Sequence, residues 1–548
     1  MRKKILNGKK IILYGDERYI RDFLYVFDDI EPIYCVIDSA DDFKDSWQKL
    51  KNENPNEVMI IVCKFDVLQT FCDLRKAGFK RGENYVSAET CFSWLDFPVE
   101  EISQVRDTFV WGTGEDSSCF FKDYLAKHRE IQIVGTIDSD PDKAGHVFFE
   151  KPVYFPDDVI KEDYPFVIIA TRRYYWEIRK KLESYGLKNR EDFISFTGIN
   201  HHASEMMRRT MTDVPKTGFL CEKPFFAYEL KPEGRTLICG GMHETYEKTE
   251  SLYYSDFRDV WSSNVLKVVR LSCVNGTYTF CDPVICCHVR ESKKRYPKNT
   301  VLKEKNYKKK ELKYPSTIQM GFDESCNLHC PSCRKNLYYA DAQKTEELRE
   351  VKERIYKEII PHASRIKIAG LGEAFASIIY REMIFDKELA RQLKSIGIIS
   401  NGSLFTPETF DKLSSMWENI DVFISMDGAC QSTAEKLRSG IDFQKWKLNM
   451  EYLGRMRVKN KIKKLAFNFV VQKDNYLEMS DYVKMCLGFH ADYIKFSMLS
   501  NWGNWTKDEF NEFSLIKENG EIKEELADVI KDEIFQRPEV FLFRWIDW

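Results

Sequence analysis

The stretch STIQMGFDESCNLHCPSC, residues 316–333, decides the fold of the C-terminal half. Its first seven residues, 316–322, form a short and largely apolar run, which predicts a strand. A loop with three cysteines follows this run directly. Five further strand-like runs alternate with helical patterns and lie at 365–372, 396–402, 420–428, 464–472 and 491–499. Six strand–helix repeats predict a partial (β/α)6 TIM-like barrel over residues 314–500, with its reactive site at the carboxyl ends of the strands.

The helical patterns between these strands are amphipathic. Leu348, Val351, Ile355 and Ile359 recur at spacings of three and four residues, which predicts a helix with one apolar face. Thr406, followed by a proline, predicts a helix start, because its hydroxyl can cap free N–H groups. These helices are expected to cover the outside of the barrel.

The N-terminal half contains an internal repeat. Its predicted strands lie at 9–15, 33–38 and 57–63, and again at 108–114, 131–138 and 166–171. Gly15 corresponds to Gly112, and Asp38 to Asp138. Because strands that alternate with helices form parallel sheets, the repeat predicts two Rossmann-like α/β domains, residues 1–104 and 105–200.

The second copy carries a weak nucleotide-binding signal. Gly112 and Gly114 follow a strand, and Asp138 ends the next one, where an acid can bind a ribose hydroxyl. This pattern hints at a dinucleotide or a nucleotide-sugar. The fingerprint lacks its third glycine, so a pure scaffold role stays equally open.

Composition narrows the class of protein. The 83 Lys and Arg residues are balanced by 86 Asp and Glu residues, which argues against a dedicated nucleic-acid binder. No apolar run reaches the length of a membrane span, and the N-terminal sequence lacks the features of a secretory signal. We therefore expect a cytoplasmic protein with no membrane partner. In that compartment its 16 cysteines are thiols or metal ligands rather than disulfides.

The three-cysteine loop has the spacing of a metal centre. Cys326, Cys330 and Cys333 provide three thiolates, which can hold one [4Fe–4S] cluster and leave its fourth iron open. A structural zinc site is the alternative, but zinc needs a fourth ligand. His329 could supply it only with strained geometry.

Four motifs in order resemble the radical S-adenosylmethionine (SAM) superfamily over residues 316–500. They are the CxxxCxxC loop, GLGE at 370–373, SNG at 400–402 and SMDG at 425–428. The resemblance implies that the three cysteines are catalytic cluster ligands. It assigns SAM binding to Gly370, Gly372, Glu373, Ser400, Asn401, Ser425 and Asp427.

The resemblance also implies a mechanism. SAM chelates the open iron, and the reduced cluster cleaves it to methionine and a 5′-deoxyadenosyl radical, which abstracts hydrogen from a substrate. The expected electron donor is a reductant such as flavodoxin or ferredoxin. The protein binds and orients the reactants and excludes water.

A second group of cysteines precedes the barrel, within residues 215–300. The spacing C-x12-G-x4-C from Cys221 to Cys239, followed by Cys281 and Cys286, resembles a SPASM or twitch module. That resemblance implies an auxiliary [4Fe–4S] cluster on these four residues, with Cys287 as the alternative to Cys286. Such modules usually follow the barrel. A zinc ion held by four thiolates would use the same residues.

The sequence therefore predicts an enzyme, with a C-terminal extension at 501–548 that packs on the barrel. The SPASM resemblance favours a peptide or protein substrate, and the Rossmann-like pair favours a sugar or nucleotide-sugar. The alternative is a nucleotide-binding protein with structural zinc and no radical chemistry. A third possibility, an RNA-modifying radical enzyme, predicts RNA that co-purifies.

Overall fold

The structure, a computed structural model, describes residues 6, 8–200, 202–242, 245, 248–283, 286, 289, 313–334, 336–501, 504–517 and 521–543. These residues form two compact units. The first comprises the described residues up to Cys221 and those within Glu247–Phe280. The second comprises those within Glu222–Tyr246 and those from Cys281 onward. Residues 215–300 are thus divided between the two units.

The first unit begins with a parallel sheet of strands β1 to β4. They span Lys10–Gly15, Pro32–Ile37, Val58–Cys63 and Tyr85–Ser87, in the order β2-β1-β3-β4. The helices of this region span Glu17–Val26, Phe43–Lys51, Leu68–Lys76, Ala88–Phe92 and Val99–Ser103. Apolar side chains of both element types, including Ile12, Ile60 and Leu74, form its core. The three strands predicted for this copy are confirmed.

The second sheet of this unit repeats the arrangement. Strands β5 to β10 span Thr108–Trp111, Gly135–Ile137, Val147–Phe148, Lys151–Tyr154, Phe166–Ile169 and Phe193–Ser195. Their order is β10-β9-β5-β6-β8-β7, and only the β7–β8 pair is antiparallel. The strand predicted at 131–138 is shorter than expected. Ile131 and Ile133 are buried in irregular chain before β6 begins.

Helices cover this second sheet and continue beyond it. Glu115–Cys119 runs into a π-helical turn at Phe120–Tyr124. Further helices span Pro156–Asp163, Tyr175–Ser184, Ala203–Thr212, Phe257–Trp261 and Asn264–Val274. Single 3-10 turns lie at Ser93–Leu95, Pro141–Lys143 and Phe196–Gly198.

The second unit is built on one sheet of nine strands, β11 to β19. They span Ala227–Leu230, Thr236–Leu237, Thr317–Met320, Arg365–Ile368, Ser395–Ser400, Asn419–Ser425, Lys464–Val471, Tyr493–Met498 and Val540–Leu542. The order is β12-β11-β13-β14-β15-β16-β17-β18-β19. Only β12 is antiparallel to its neighbour. The six strands predicted from 316 to 499 are confirmed, and the chain is a mixed α/β protein with parallel sheets.

Two parallel strands of this sheet were not predicted. Strand β11 comes from the cysteine-rich region and pairs with β13, and β19 comes from the C-terminal extension and pairs with β18. Each is short, and each pairs with a strand far along the chain. Their positions extend the predicted six-stranded arrangement at both edges.

Helices connect the strands of the second unit as expected. They span Lys223–Phe226, Ala342–Glu358, Ile378–Ile384, Lys387–Leu393, Pro407–Ser414, Gln431–Leu437, Phe443–Val458, Met479–Gly488, Lys507–Phe513 and Glu524–Val529. Single 3-10 turns lie at Pro232–Gly234, Ile360–His362, Tyr476–Glu478 and Glu533–Gln536. Leu348, Val351 and Ile355 are buried on one face of their helix, and Thr406 caps the helix it precedes. No helix in the described part of the chain has the length and apolar character that a membrane crossing requires.

Candidate functional site

The three-cysteine loop lies at the carboxyl end of β13. Cys326 and Cys330 are buried, and Cys333 is exposed. The Cys326 N–H donates to the Tyr338 carbonyl at 2.8 Å, and the Cys333 N–H donates to the Cys330 carbonyl at 2.9 Å. Main-chain bonds therefore fix the loop where it leaves the sheet, which is the place predicted for the reactive site.

Cys326, Cys330 and Cys333 offer three soft thiolates in one loop. That donor set suits an iron–sulfur cluster with one open iron, whereas a structural zinc site needs a fourth ligand. Elsewhere, in the first unit, ligand atoms of Glu100, His128 and Glu130 lie within 4.8 Å of one another.

The GLGE segment after β14 packs against this loop and supports it. Gly372 has a φ of +73°, and a Cβ there would lie 2.6 Å from the Asp323 carbonyl oxygen and 2.8 Å from that of Ser325. The Glu373 N–H donates to the Ser325 carbonyl at 2.8 Å. A side chain at 372 would push the loop away, so this position requires glycine. Gly370 instead faces Gln319, whose Nε2 would lie 2.6 Å from an added Cβ.

Asp323 anchors the start of the loop to the helix after the GLGE segment. The Asp323 N–H donates to the Tyr380 hydroxyl at 2.8 Å, and the Ser377 hydroxyl donates to the Asp323 carboxylate. The same carboxylate accepts the Ser325 N–H at 2.9 Å. Every one of these groups is buried. The residues just before Cys326 are therefore fixed by hydrogen bonds within the loop and to the following helix.

Glu373 joins the ends of β14 and β15. Its side chain is only 1% exposed. Ser400 Oγ donates to Glu373 Oε1 at 2.7 Å, and the Asn401 N–H donates to Oε2 at 2.6 Å. Burial raises the pKa of the Glu373 carboxyl, and the donors from Asn401 and Ser400 oppose that rise. Three predicted site residues are thus brought together in one hydrogen-bonded group.

Asn401 connects this group to the cysteine loop. Its Nδ2 donates to Asn327 Oδ1 at 3.0 Å, and Asn327 Nδ2 donates to Ser403 Oγ at 2.9 Å. Trp446 Nε1 donates to the Asn401 carbonyl at 3.1 Å. The ends of β13, β14 and β15 therefore form one network. Asn327, between the first two cysteines, takes part in it although the sequence did not single it out.

Asp427, at the end of β16, forms a buried ion pair with Arg438. The Asp427 side chain is 1% exposed, and its Oδ2 lies 2.7 Å from Arg438 Nε. Its Oδ1 also accepts the Val470 N–H at 2.8 Å. Burial alone would lower the pKa of the Arg438 guanidinium, but Asp427 and Cys330 raise it. Arg438 thus stays charged beside the middle cysteine of the loop.

The sequence analysis missed Arg438 as a site residue. Its position in the EKLRSG segment, residues 435–440, which follows the motif at the end of the fourth strand, was the available signal. Burial raises the pKa of the Cys330 thiol to about 11, and the Arg438 charge opposes that rise. Ser425, the remaining predicted residue of the fourth motif, is half-buried at the end of β16.

The predicted auxiliary ligands lie in both units. Cys221 belongs to the first unit, where its N–H donates to the Tyr278 hydroxyl at 2.9 Å. Cys239, Cys281 and Cys286 belong to the second. There the Asp282 N–H donates to the Gly241 carbonyl at 2.9 Å, and the Cys286 N–H donates to the Asp282 carbonyl at 2.8 Å.

Burial raises the pKa of the Cys239 thiol, Lys223 opposes the rise, and Cys286 adds to it. The two hydrogen bonds at Asp282 join the chain near Cys239 to the chain that carries Cys281 and Cys286. Cys287, the alternative ligand, lies outside the described residues.

At the carboxyl ends of β5 and β6, the candidate nucleotide-binding residues contact other groups of the chain. Thr113 Oγ1 donates to the Asp138 carboxylate, which also pairs with Lys143 Nζ at 3.1 Å. Glu115 and Asp116 occupy the first helical turn, where a phosphate would otherwise bind. Negative charge there disfavours an anion, so this arrangement favours the scaffold alternative over nucleotide binding.

Comparison with known proteins gives three findings. Residues 105–192, within the second sheet region, match the family model described as C2185-like, N-terminal. No curated protein matches the chain. Among solved structures, it is similar to Streptococcus suis SuiB bound to S-adenosylmethionine, with 18% identity and a TM-score of 0.28. That match covers 42% of this chain and 50% of SuiB, so it spans about half the length of that relative.

Two further solved structures are similar at the same level. TYW1 with a lysine-pyruvate adduct has 12% identity and a TM-score of 0.28, over 40% of this chain and 74% of that one. Native anSMEcpe with bound AdoMet and Cp18Cys peptide has 20% identity and a TM-score of 0.28, over 36% of this chain and 55% of that one.

Proposed function

We propose that this chain is a radical SAM enzyme with a [4Fe–4S] cluster on Cys326, Cys330 and Cys333. One observation carries the proposal. The ends of β13, β14 and β15 are joined around the three-cysteine loop through Glu373, Asn401 and the loop carbonyls. Motifs that are far apart in the sequence thus meet at the loop that carries the three cysteines, at strand ends of the kind where barrel enzymes carry their chemistry.

The bound cluster and SAM would supply one-electron cleavage of the sulfonium and a 5′-deoxyadenosyl radical. The chain's own residues provide the environment. The three thiolates bind the cluster and leave one iron open. Gly372 lets the main chain that follows β14 approach the loop, and Glu373 presents a buried carboxylate held by Ser400 and Asn401. That carboxylate is the acceptor we assign to the amino group of SAM.

Arg438 provides a positive charge next to the three-cysteine loop. It is buried beside Cys330 and held by Asp427 at 2.7 Å. A fixed cation in a poorly solvated site offsets part of the negative charge of a thiolate-bound cluster. Asp427 is therefore a positioning residue in this proposal, because its carboxylate is already engaged by Arg438 and Val470.

The proposed substrate is a peptide or protein side chain, or a sugar or nucleotide-sugar. The ion pairs at the carboxyl ends of β5 and β6 weaken the argument for nucleotide-sugars at that place. They leave the peptide alternative untouched. The proposed electron donor is a flavodoxin or ferredoxin.

Metal and product analysis of anaerobically purified protein tests this proposal. We expect about four iron and four sulfide for each cluster, and formation of 5′-deoxyadenosine and methionine when SAM and dithionite are added. Zinc without sulfide would favour the alternative, a nucleotide-binding protein with structural zinc sites. Co-purifying RNA with steep salt dependence would favour an RNA-modifying enzyme instead.

We also propose, from the spacing of the cysteines and the SPASM resemblance, an auxiliary [4Fe–4S] cluster with Cys239, Cys281 and Cys286 of the second unit among its ligands. The hydrogen bonds of the Asp282 and Cys286 N–H groups support this proposal, because they join the chain beside Cys239 to the chain that carries Cys281 and Cys286. Cys221, the fourth ligand predicted from the sequence, lies in the first unit. Cys239→Ala is expected to retain SAM cleavage without substrate but to reduce substrate turnover by at least about tenfold, because losing a ligand costs no less than losing a residue that only orients a ligand.

The measurement for this variant compares 5′-deoxyadenosine with modified substrate, and it includes iron content. Cys119→Ala is the matched control, because that thiol is exposed and outside both predicted ligand sets. Turnover equal to that of the parent, with unchanged iron content, would contradict the auxiliary role.

A further inference from the structure

Arg334 follows the third cysteine and is fixed at three points. Its N–H donates to the Cys330 carbonyl at 3.0 Å, and its Nη1 donates to the Glu324 carbonyl at 2.5 Å. Its Nη2 donates to Cys333 Sγ at 3.8 Å. The guanidinium is thereby held between the start of the loop and its last sulfur.

We propose that Arg334 is a positioning residue that raises the reduction potential of the cluster bound by the three cysteines. The inference rests on the proposed function. On reduction the cluster takes up one electron from a one-electron reductant, and no bond or proton changes. The reduced cluster carries one more negative charge, so a fixed cation stabilises it more than the oxidised one. A hydrogen bond to a ligand sulfur acts in the same direction.

Arg334 carries a positive charge throughout the accessible pH range, because an arginine guanidinium stays protonated.

Arg334 differs from the other guanidinium near the loop. Arg438 is paired with Asp427 at 2.7 Å, so much of its charge is neutralised. Within the described residues, Arg334 forms no ion pair with a carboxylate; its side-chain partners there are the Glu324 carbonyl and the Cys333 sulfur. The Glu324 carboxylate interacts with it electrostatically without forming an ion pair, so Arg334 keeps more of its charge for the thiolates than Arg438 does.

Redox titration of the reconstituted full-length protein tests this inference. We would titrate parent, Arg334→Gln, Arg334→Lys and Arg391→Gln with dithionite and viologen mediators, and follow the reduced cluster by electron paramagnetic resonance. At a fixed potential, Arg334→Gln should lower the ratio of reduced to oxidised cluster about tenfold, which is 59 mV for one electron. Arg334→Lys should lower it about threefold, since lysine keeps the charge but loses the forked contact.

Arg391→Gln is the matched control. Arg391 is 78% exposed and pairs with Glu388, so removing its charge should leave the potential unchanged. Iron and sulfide are measured for every variant, so that the potentials compare equal clusters. A general loss of folding or of iron would not by itself shift the midpoint of the cluster that remains.

Two results would overturn the inference, and a third concerns the proposed function. An unchanged potential in Arg334→Gln with full iron content would refute the role of Arg334 and leave the cluster assignment intact. If Arg334→Gln retains too little iron, Arg334→Lys decides, and a parental potential in it refutes the role. A parent protein that holds no iron after reconstitution would instead refute the proposed function.

Discussion

Cys330→Ala is expected to abolish reductive cleavage of SAM. Cys330 is the middle ligand of the loop, is only 6% exposed and lies beside the charged Arg438. Removing it leaves two thiolates, which cannot hold a cluster of four irons in a defined position. We expect formation of 5′-deoxyadenosine to fall at least about a hundredfold, the upper range for groups that only support a metal. Chromatography after anaerobic reconstitution measures it.

Cys119→Ala is again the control for this substitution. It removes an exposed thiol in the first unit and should leave iron content and product formation at parental levels. Circular dichroism of both variants checks that Cys330→Ala still folds. If Cys330→Ala formed 5′-deoxyadenosine at the parental rate, the assignment of the cluster to this loop would be wrong.

The parallel strands were predictable because their signal is local. Val58–Cys63 is apolar and mostly β-branched, Lys464–Val471 is largely apolar and aromatic, and the structure confirms both as strands. Strands β11 and β19 escaped prediction because their sequences, AYEL and VFL, are too short to show a period. They are strands because a distant strand offers them a hydrogen-bonding edge, and local sequence does not encode that pairing.

The candidate site divides in the same way. Spacing picked out the cysteines, and the resemblance to the radical SAM superfamily picked out the motif at each strand end. It did not reveal that Glu373 binds Ser400 and Asn401, or that Asp427 is engaged by Arg438, since those contacts join separate strands and loops. Asn327 and Arg438 were missed because each is a single polar residue with no spacing pattern. Their importance follows only from the burial and the partners that the fold gives them.

Gly372→Ala is the second substitution for which we expect a large effect. A non-glycine residue at a φ of +73° costs about 1–2 kcal/mol. The added Cβ would also lie 2.6 Å from the Asp323 carbonyl oxygen and 2.8 Å from that of Ser325, and both are main-chain atoms with little freedom to move. Such overpacking adds about 1–3 kcal/mol. We therefore expect the free energy of unfolding to fall by about 3 kcal/mol, measured by denaturant titration.

The same substitution should also reduce iron content, because the clash lies one residue before Cys326. Gly488→Ala is the matched control. Gly488 ends the helix Met479–Gly488 and has no atom within 4 Å of an added Cβ. Alanine there should leave stability unchanged or raise it by up to about 1 kcal/mol, with full iron content. If Gly372→Ala and Gly488→Ala had the same free energy of unfolding and the same iron content, the GLGE segment would not support the cysteine loop. The proposed function would then lose the contact between this segment and the loop on which it depends.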